Sequence, residues 1–404
     1  MKYRIMPSTG DELSILGFGC MRLPTRGMGI DERRAANQVR GAIDRGVNYI
    51  DTAWPYHGGK SETFLGKALA GGYRDKVFLA DKLPPWMVKT RADMDRILGE
   101  QLKKMRTDRI DYYLAHARNA PVWEHMKTLG IIEFLERARE QGKIRRLGFS
   151  FHGPNADFME IVDDYAWDFC QIQYNILDEN NQAGRAGLVH AAEKGMGVII
   201  MEPLRGGSLT VKLPRQVQRV YETAPVKRSS AEWGLRWVWN HPEVTVVLSG
   251  MNDEKHISEN IRIASDAEPG ALTERDLQTI EKAVARYRAL CRVGCTGCQY
   301  CMPCPSGVNI PMAFDIYNQY HMGNGKLMAR FLYWGQLGGV GGGEPAVASQ
   351  CVNCGKCAKH CPQKIDIPAE IKNVEKTFEG RHLGPLQKKA LSFVLGLMRP
   401  RTRN

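Results

Sequence analysis

Residues 77–116 read VFLADKLPPWMVKTRADMDRILGEQLKKMRTDRIDYYLAH, and their reading decides the fold. Two apolar runs, 77–83 and 109–116, flank a stretch of helical period at 91–105. The runs are nearly continuous in apolar and aromatic residues, the pattern of a strand covered on both faces. Strand, helix and strand in that order predict a βαβ unit with parallel strands.

The alternation continues in both directions. Further apolar runs are LGFGCM (16–21), VNYIDTA (47–53), IRRLGFSF (144–151), FCQIQYN (169–175), GVIIMEP (197–203) and VTVVLSG (244–250). Amphipathic stretches such as 32–46 and 130–143 lie between them, several ending at a glycine suited to the position just past a helix. Eight such units predict an α/β fold of the (β/α)8, or TIM-barrel, class rather than an open doubly wound sheet. No Gly-rich dinucleotide fingerprint follows any strand, which argues against a Rossmann fold.

Around this barrel the sequence predicts four parts: the barrel at 1–270, a connecting helix at 271–290, a small helical cysteine-rich domain at 291–380 and a basic tail at 381–404. Residues 3–16 predict a β-hairpin turning at Thr9-Gly10-Asp11 and plugging one end of the barrel. Residues 205–230 predict a long loop on the side where barrels of this kind carry their sites. The first thirty residues contain no signal-like apolar region, and 197–204 and 391–398 fall well short of the ~20 residues that span a bilayer. A soluble, cytoplasmic protein is expected. The net charge is +12, but acidic residues are interspersed with the basic ones. Only Lys388, Lys389, Arg399, Arg401 and Arg403 form a one-sign cluster, which predicts a solvated face or acidic partners rather than nucleic acid.

Eight of the eleven cysteines fall in two runs that end in Cys-Pro. The first holds Cys295, Cys298, Cys301 and Cys304; the second holds Cys351, Cys354, Cys357 and Cys361. The second is the C-x2-C-x2-C-x3-C-P run of bacterial [4Fe–4S] ferredoxins, a tighter triple than zinc sites use. In two-cluster ferredoxins the last cysteine of each run ligates the other run's cluster. That rule pairs Cys361 with Cys295, Cys298 and Cys301, and Cys304 with Cys351, Cys354 and Cys357. The first run is one residue short before Cys304, and Cys291 is a stand-in ligand. Cys20 and Cys170 lie in predicted strands and are expected to be buried thiols.

Barrels of this class carry catalytic groups at the C-terminal ends of their strands. Those ends present Asp51, Lys82 and His116, with Tyr56 five residues after Asp51. The segments DTAWPYHGGKSETFLGKAL (51–69), VFLADKLP (77–84), DRIDYYLAH (108–116), GKIRRLGFS (142–150) and SENI (258–261) resemble the aldo/keto reductase family, in its branch with a C-terminal 4Fe–4S ferredoxin-type domain. The resemblance implies a catalytic tetrad of Asp51, Tyr56, Lys82 and His116. Tyr56 would exchange a proton with the substrate oxygen, Lys82 would lower its pKa, Asp51 would hold Lys82, and His116 would orient the carbonyl.

The resemblance also implies a nicotinamide cofactor. Ser150 and Gln171 would hold its carboxamide, Glu259 and Asn260 its adenine, and Gly250 would open the phosphate-binding segment. Phe151 stands where the family has asparagine, Met201 where many members stack an aromatic ring, and Gly250 and His256, beside Lys255, where NADPH-preferring members place a basic pair. NADH and NADPH are both expected candidates. A flavin is a further one, because a hydride carries two electrons and each cluster takes one. His57, His152, Trp54 and Trp86 are expected to line the pocket or to pack beside it.

Two functions follow as expectations. The first is an oxidoreductase interconverting a small-molecule carbonyl and alcohol, with clusters that exchange electrons with a partner protein. The second is an electron-transfer or redox-sensing subunit whose barrel binds a flavin or other cofactor.

Overall fold

The computed structural model describes residues 1–380, apart from 28, 118–119, 154, 212, 296–300, 323–325, 339–343 and 362–363. Cys298 and the basic tail lie outside the described residues. Eight parallel strands close into a barrel: β1 (Leu16–Gly19), β2 (Tyr49–Asp51), β3 (Phe78–Leu83), β4 (Ile110–Ala117), β5 (Ile144–Phe151), β6 (Phe169–Gln173), β7 (Gly197–Met201) and β8 (Val244–Ser249). Each strand pairs with its neighbour in sequence, and Val247 opposite Leu16 joins the last to the first. The (β/α)8 expectation is met.

Side chains alternate across each strand, so every second residue faces the barrel axis. Tyr49, Ala80, Tyr112, Leu114, Phe169, Ile199, Val246 and Leu248 fill the interior. Tyr112 stacks edge-on against Tyr49 at 5.3 Å and Phe169 at 5.0 Å. The N-terminal hairpin pairs Tyr3–Ile5 with Glu12–Ser14 and pushes Met6 and Leu13 into this core. Asp11 accepts hydrogen bonds from the Tyr112 hydroxyl at 2.9 Å and the Arg146 guanidinium at 2.8 Å, fixing the hairpin as a plug.

Outer helices form where the amphipathic period predicts them, including Glu32–Ile43, Arg91–Met105 and Ile131–Glu140. Thr90 and Asp93 close a capping box on Arg91–Met105. Gly46 and Gly142, in the turns that follow two of these helices, adopt φ of 97° and 72°, which only glycine takes without strain.

Two expectations need correction. Cys20 begins a 3-10 turn, Cys20–Arg22, rather than ending a strand, although it and Cys170 are both fully buried. The stretch 205–230 is no featureless loop: it holds the helix Arg215–Thr223, whose Val217 and Tyr221 are buried.

The chain divides into two compact units, 1–210 with 226–280, and 211–225 with the chain from Glu281 onward. The division falls inside the helix Glu274–Leu290. In the second unit the helices Ile310–His321, Lys326–Gln336 and Ile367–Phe378 enclose a small core in which Tyr333 stacks on Phe378 at 4.5 Å. Asn318 in this core accepts from the Arg292 and Val293 amides and donates to the Val293 carbonyl, fixing the approach to the first cysteine run. Among the described residues no helix is long and apolar enough to cross a membrane.

Candidate functional site

The interior alternation carries the site. Asp51 lies two residues beyond core-facing Tyr49, Lys82 two beyond Ala80, and His116 two beyond Leu114, so all three face inward at the C-terminal mouth. Asp51 and Lys82 are 2% and 4% exposed, and their ion pair closes at 2.5 Å. The Lys82 ammonium also donates to the Thr52 carbonyl at 2.8 Å. Tyr56 opens a 3-10 turn, Tyr56–Gly59, and Lys82 sits 5.3 Å from the centre of its ring. The structure thus brings Asp51, Tyr56 and Lys82 together. His116 stands apart from that cluster in its contacts: its Nδ1 lies 2.7 Å from Ser150 Oγ, and its ring is flanked by Trp86 and His152 at 5.8 and 5.7 Å.

Electrostatics in the site differ from expectation in one respect. Burial pushes the Tyr56 phenol up to about 12; Lys82 pulls the other way by charge and hydrogen bond but does not win. The sequence shows the ammonium but not the depth at which the phenol lies. Burial works against a charged Lys82, yet Asp51 and Tyr56 raise its pKa above the usual lysine value, so the pair stays ionised at neutral pH. Burial raises the Asp51 carboxyl, opposed by Lys82.

Behind the strand a second network grips Lys82 by its backbone. Asp81 accepts from the Lys82 amide at 2.8 Å, and Gln101 donates to the Lys82 carbonyl at 2.9 Å and to Asp81 at 2.8 Å. Buried Glu62 lies against Asp81 and takes Lys104 at 2.7 Å, and Lys104 covers the Trp54 ring at 3.3 Å. Burial and the neighbouring Glu62 raise the Asp81 carboxyl well above its usual range. Trp54 is thereby a packing residue under Lys104.

His57 also has a defined place. Its ring Nε2 accepts the Leu23 amide at 3.1 Å, and its backbone is left-handed at φ 53°. The ring ties the Tyr56 loop to the turn after β1. Sequence reading left its role open, because Leu23 is 34 residues away.

Gln171 and Met201 continue the inward faces of β6 and β7 at the mouth, with Gln171 Nε2 3.7 Å from the Met201 sulfur. Gln171 Oε1 is buried and has no hydrogen-bond partner. Asn260 donates to Ser249 Oγ at 3.0 Å, beside Gly250; His256, Lys255 and Glu259 lie on the same helix, Glu254–Ala264, and are exposed. Phe151, 5.3 Å from Phe158, faces the helix layer. Arg22 was not singled out by sequence reading. Its stem lies 3.1 Å from where a Cβ on Gly250 would be, and its guanidinium 2.7 Å from the equivalent point on Gly206. It spans two loops that only the closed barrel brings together.

In the second unit Cys304, Cys351, Cys354 and Cys357 line one cavity with apolar walls that include Ile310 and Ile371. This grouping is the exchanged set that the cysteine spacing implies. Cys295, Cys301 and Cys361 pack on the same small core.

A closed parallel barrel with a buried Asp–Lys pair beside a tyrosine at its mouth is an oxidoreductase scaffold of one recognised kind. The aldo/keto reductase family model matches residues 15–285, and the chain belongs to that family. A 4Fe–4S dicluster domain model matches residues 294–365. Among curated relatives, the aldo-keto reductase YhdN of Bacillus subtilis is 35% identical over 228 residues, 54% of this chain and 66% of that protein. The methylglyoxal reductase YeaE of Escherichia coli is 26% identical, over 70% of this chain and 95% of that protein. Among solved structures, the holo form of an aldo-keto reductase from Bacillus halodurans superposes with a TM-score of 0.58 at 27% identity, covering 70% of this chain and 96% of that one.

Proposed function

We propose that this chain interconverts a small carbonyl compound and its alcohol with a nicotinamide dinucleotide, residues 1–270 carrying the chemistry and 291–380 the electron exchange. The observation that carries the reading is the Asp51–Lys82 pair at 2.5 Å beside Tyr56. The orphaned Gln171 Oε1 fits the cofactor: it is a buried acceptor aimed where a carboxamide N–H would satisfy it. Ser150 and Gln171 would hold the carboxamide; Gly250, His256, Glu259 and Asn260 would hold the adenosine end, and Arg22 adds a cation beside Gly250. A bound reduced nicotinamide supplies the hydride.

The remaining chemistry belongs to the chain. A phenol held near 12 is protonated at neutral pH, the form needed to donate to an oxygen gaining negative charge. Lys82 stabilises the phenolate left behind, and Asp51 keeps Lys82 in place. His116, with Nδ1 engaged by Ser150, would orient the carbonyl. The same pKa disfavours the phenolate needed for alcohol oxidation, so reduction is the favoured direction near pH 7.

The cysteines fit two clusters, one on Cys304, Cys351, Cys354 and Cys357 and one on Cys295, Cys298, Cys301 and Cys361, and these would exchange electrons with a partner protein. Tyr56→Phe tests the catalytic reading: carbonyl reduction should fall by ~10² or more while cluster absorbance is unchanged. Unaltered turnover would refute the role of Tyr56. A second reading, an electron-transfer or redox-sensing subunit, is favoured by Phe151 facing away from the mouth and leaving one carboxamide ligand absent. Anaerobic titration with NADH and NADPH separates the two: no binding of either nucleotide would leave only the second.

A further inference from the structure

The two cysteine runs differ in their surroundings. Residues 351–365 hold three lysines, Lys356, Lys359 and Lys364, and no acidic residue, whereas 291–305 hold one basic residue, Arg292. All three lysines are exposed and make no ion pair or side-chain hydrogen bond among the described residues. At 3.6 residues per turn, Lys356, Lys359 and His360 fall on one side of the short helix Lys356–Lys359, with Cys357 beside them. The nearest acidic residues in sequence are occupied: Asp366 caps the helix Ile367–Phe378 and Glu370 accepts from Asn373.

Within this basic rim the surface is apolar and thin. Val352 is 70% exposed and Cys354 is exposed, while Cys304, Cys351 and Cys357 line the cavity behind them. Pro305 and Pro368 extend the apolar wall, and residues 301–311 carry no charge. An uncharged centre over a thiol-lined cavity, ringed by unpaired cations, suits a small transient contact of the electron-transfer class.

We propose that the surface formed by Val352, Cys354, Lys356, Lys359 and Lys364 is the docking face for a small acidic one-electron carrier protein. It rests on the electron-exchange part of the proposed function and is independent of the carbonyl chemistry. Each encounter passes one electron between the carrier's redox centre and the cluster held by Cys304, Cys351, Cys354 and Cys357; no bond forms or breaks and no proton moves. The unpaired lysines steer the acidic partner, and Val352 supplies the water-excluding contact.

The test uses the full chain loaded anaerobically, with an acidic plant-type [2Fe–2S] ferredoxin as probe and a basic cytochrome c as comparator. Affinity and stopped-flow electron transfer are both read. Ferredoxin binding should weaken about tenfold or more as salt rises from ~0.01 to ~0.15 M and the Debye length shortens. Charge reversal of the three lysines (Lys356→Glu, Lys359→Glu, Lys364→Glu) should lower affinity and rate by roughly tenfold or more, with iron, sulfide and dithionite reduction unchanged. The single Lys359→Gln variant should weaken binding several-fold even if the triple variant loads poorly. Lys103→Glu on the barrel should change neither quantity. Salt-independent binding, an unaffected Lys359→Gln, or preference for the basic comparator would overturn the proposal. Tighter, lysine-dependent binding to phosphatidylserine vesicles than to ferredoxin would overturn it in favour of a membrane surface. Carbonyl reduction assayed on the same samples reports separately on Tyr56.

Discussion

Replacing Lys82 by methionine keeps the side chain's length and removes its charge, leaving the Asp51 carboxylate buried without its partner at 2.5 Å. Orphaning one member of a buried pair costs about 3–5 kcal/mol. The cost has a ceiling, because Asp51 can take up a proton instead of remaining charged. From an unfolded pKa near 3.9, protonation at pH 7 costs about 4 kcal/mol, and at pH 5 about 1.5 kcal/mol, at 1.36 kcal/mol per unit. The variant should therefore lose about 3–4 kcal/mol at pH 7 but only 1–2 kcal/mol at pH 5. The sign follows from linkage: the orphaned carboxyl has a folded pKa above its unfolded one, so the stability it contributes is present in acid and lost as pH rises. Urea unfolding followed by tryptophan fluorescence reports on the barrel, since Trp334 alone of the eight tryptophans lies in the second unit. Adding Asp51→Asn should restore most of the loss at pH 7. An equal loss at both pH values, with no rescue, would show that packing rather than charge holds the pair and would refute the reasoning.

Other consequences are as direct. Burial lowers the His57 pKa against a backbone hydrogen bond from Cys20, so its stabilising contact is present above about 6.5 and lost as pH falls through the folded value. Protection of the Leu23 amide from hydrogen exchange should drop on acidification in the native protein and be pH-independent in His57→Phe; a flat native profile would exclude the latch. A Cβ at Gly197 would lie 1.8 Å from the Met6 sulfur, so Gly197→Ala should destabilise the barrel by about 1–3 kcal/mol, with partial recovery in Met6→Ala. No recovery would mean the hairpin is not what the methyl group strikes. Cys304→Ser should give the same residual electron paramagnetic resonance signal as Cys354→Ser; a match to Cys295→Ser would reject the exchanged ligand set.

The barrel and three of its mouth residues were legible because strand alternation is local: Tyr49 fixes Asp51, Ala80 fixes Lys82 and Leu114 fixes His116. The cysteine spacing likewise announced which thiols would share a cavity. What sequence could not convey depends on tertiary closure. Arg22 matters only because β7 and β8 bring Gly206 and Gly250 to it. The His57 tie needs a left-handed backbone and the distant Leu23 amide. The high pKa of Tyr56 comes from burial, which no neighbouring residue type encodes. The helix Arg215–Thr223 is different: its Val217 and Tyr221 sit at i and i+4, a signal available in the sequence but hidden between prolines and polar residues.

That helix bears on the ancestry of the fusion. Residues 211–225 leave the barrel between β7 and β8 yet belong to the cysteine-bearing unit, so the module was not simply appended at the barrel's end. Cutting the gene before codon 281 would strand Val217 and Tyr221, and grafting the C-terminal piece elsewhere would deprive it of a helix. The heritable unit of modularity here is the whole chain, and recombination at the apparent junction would produce two incomplete proteins.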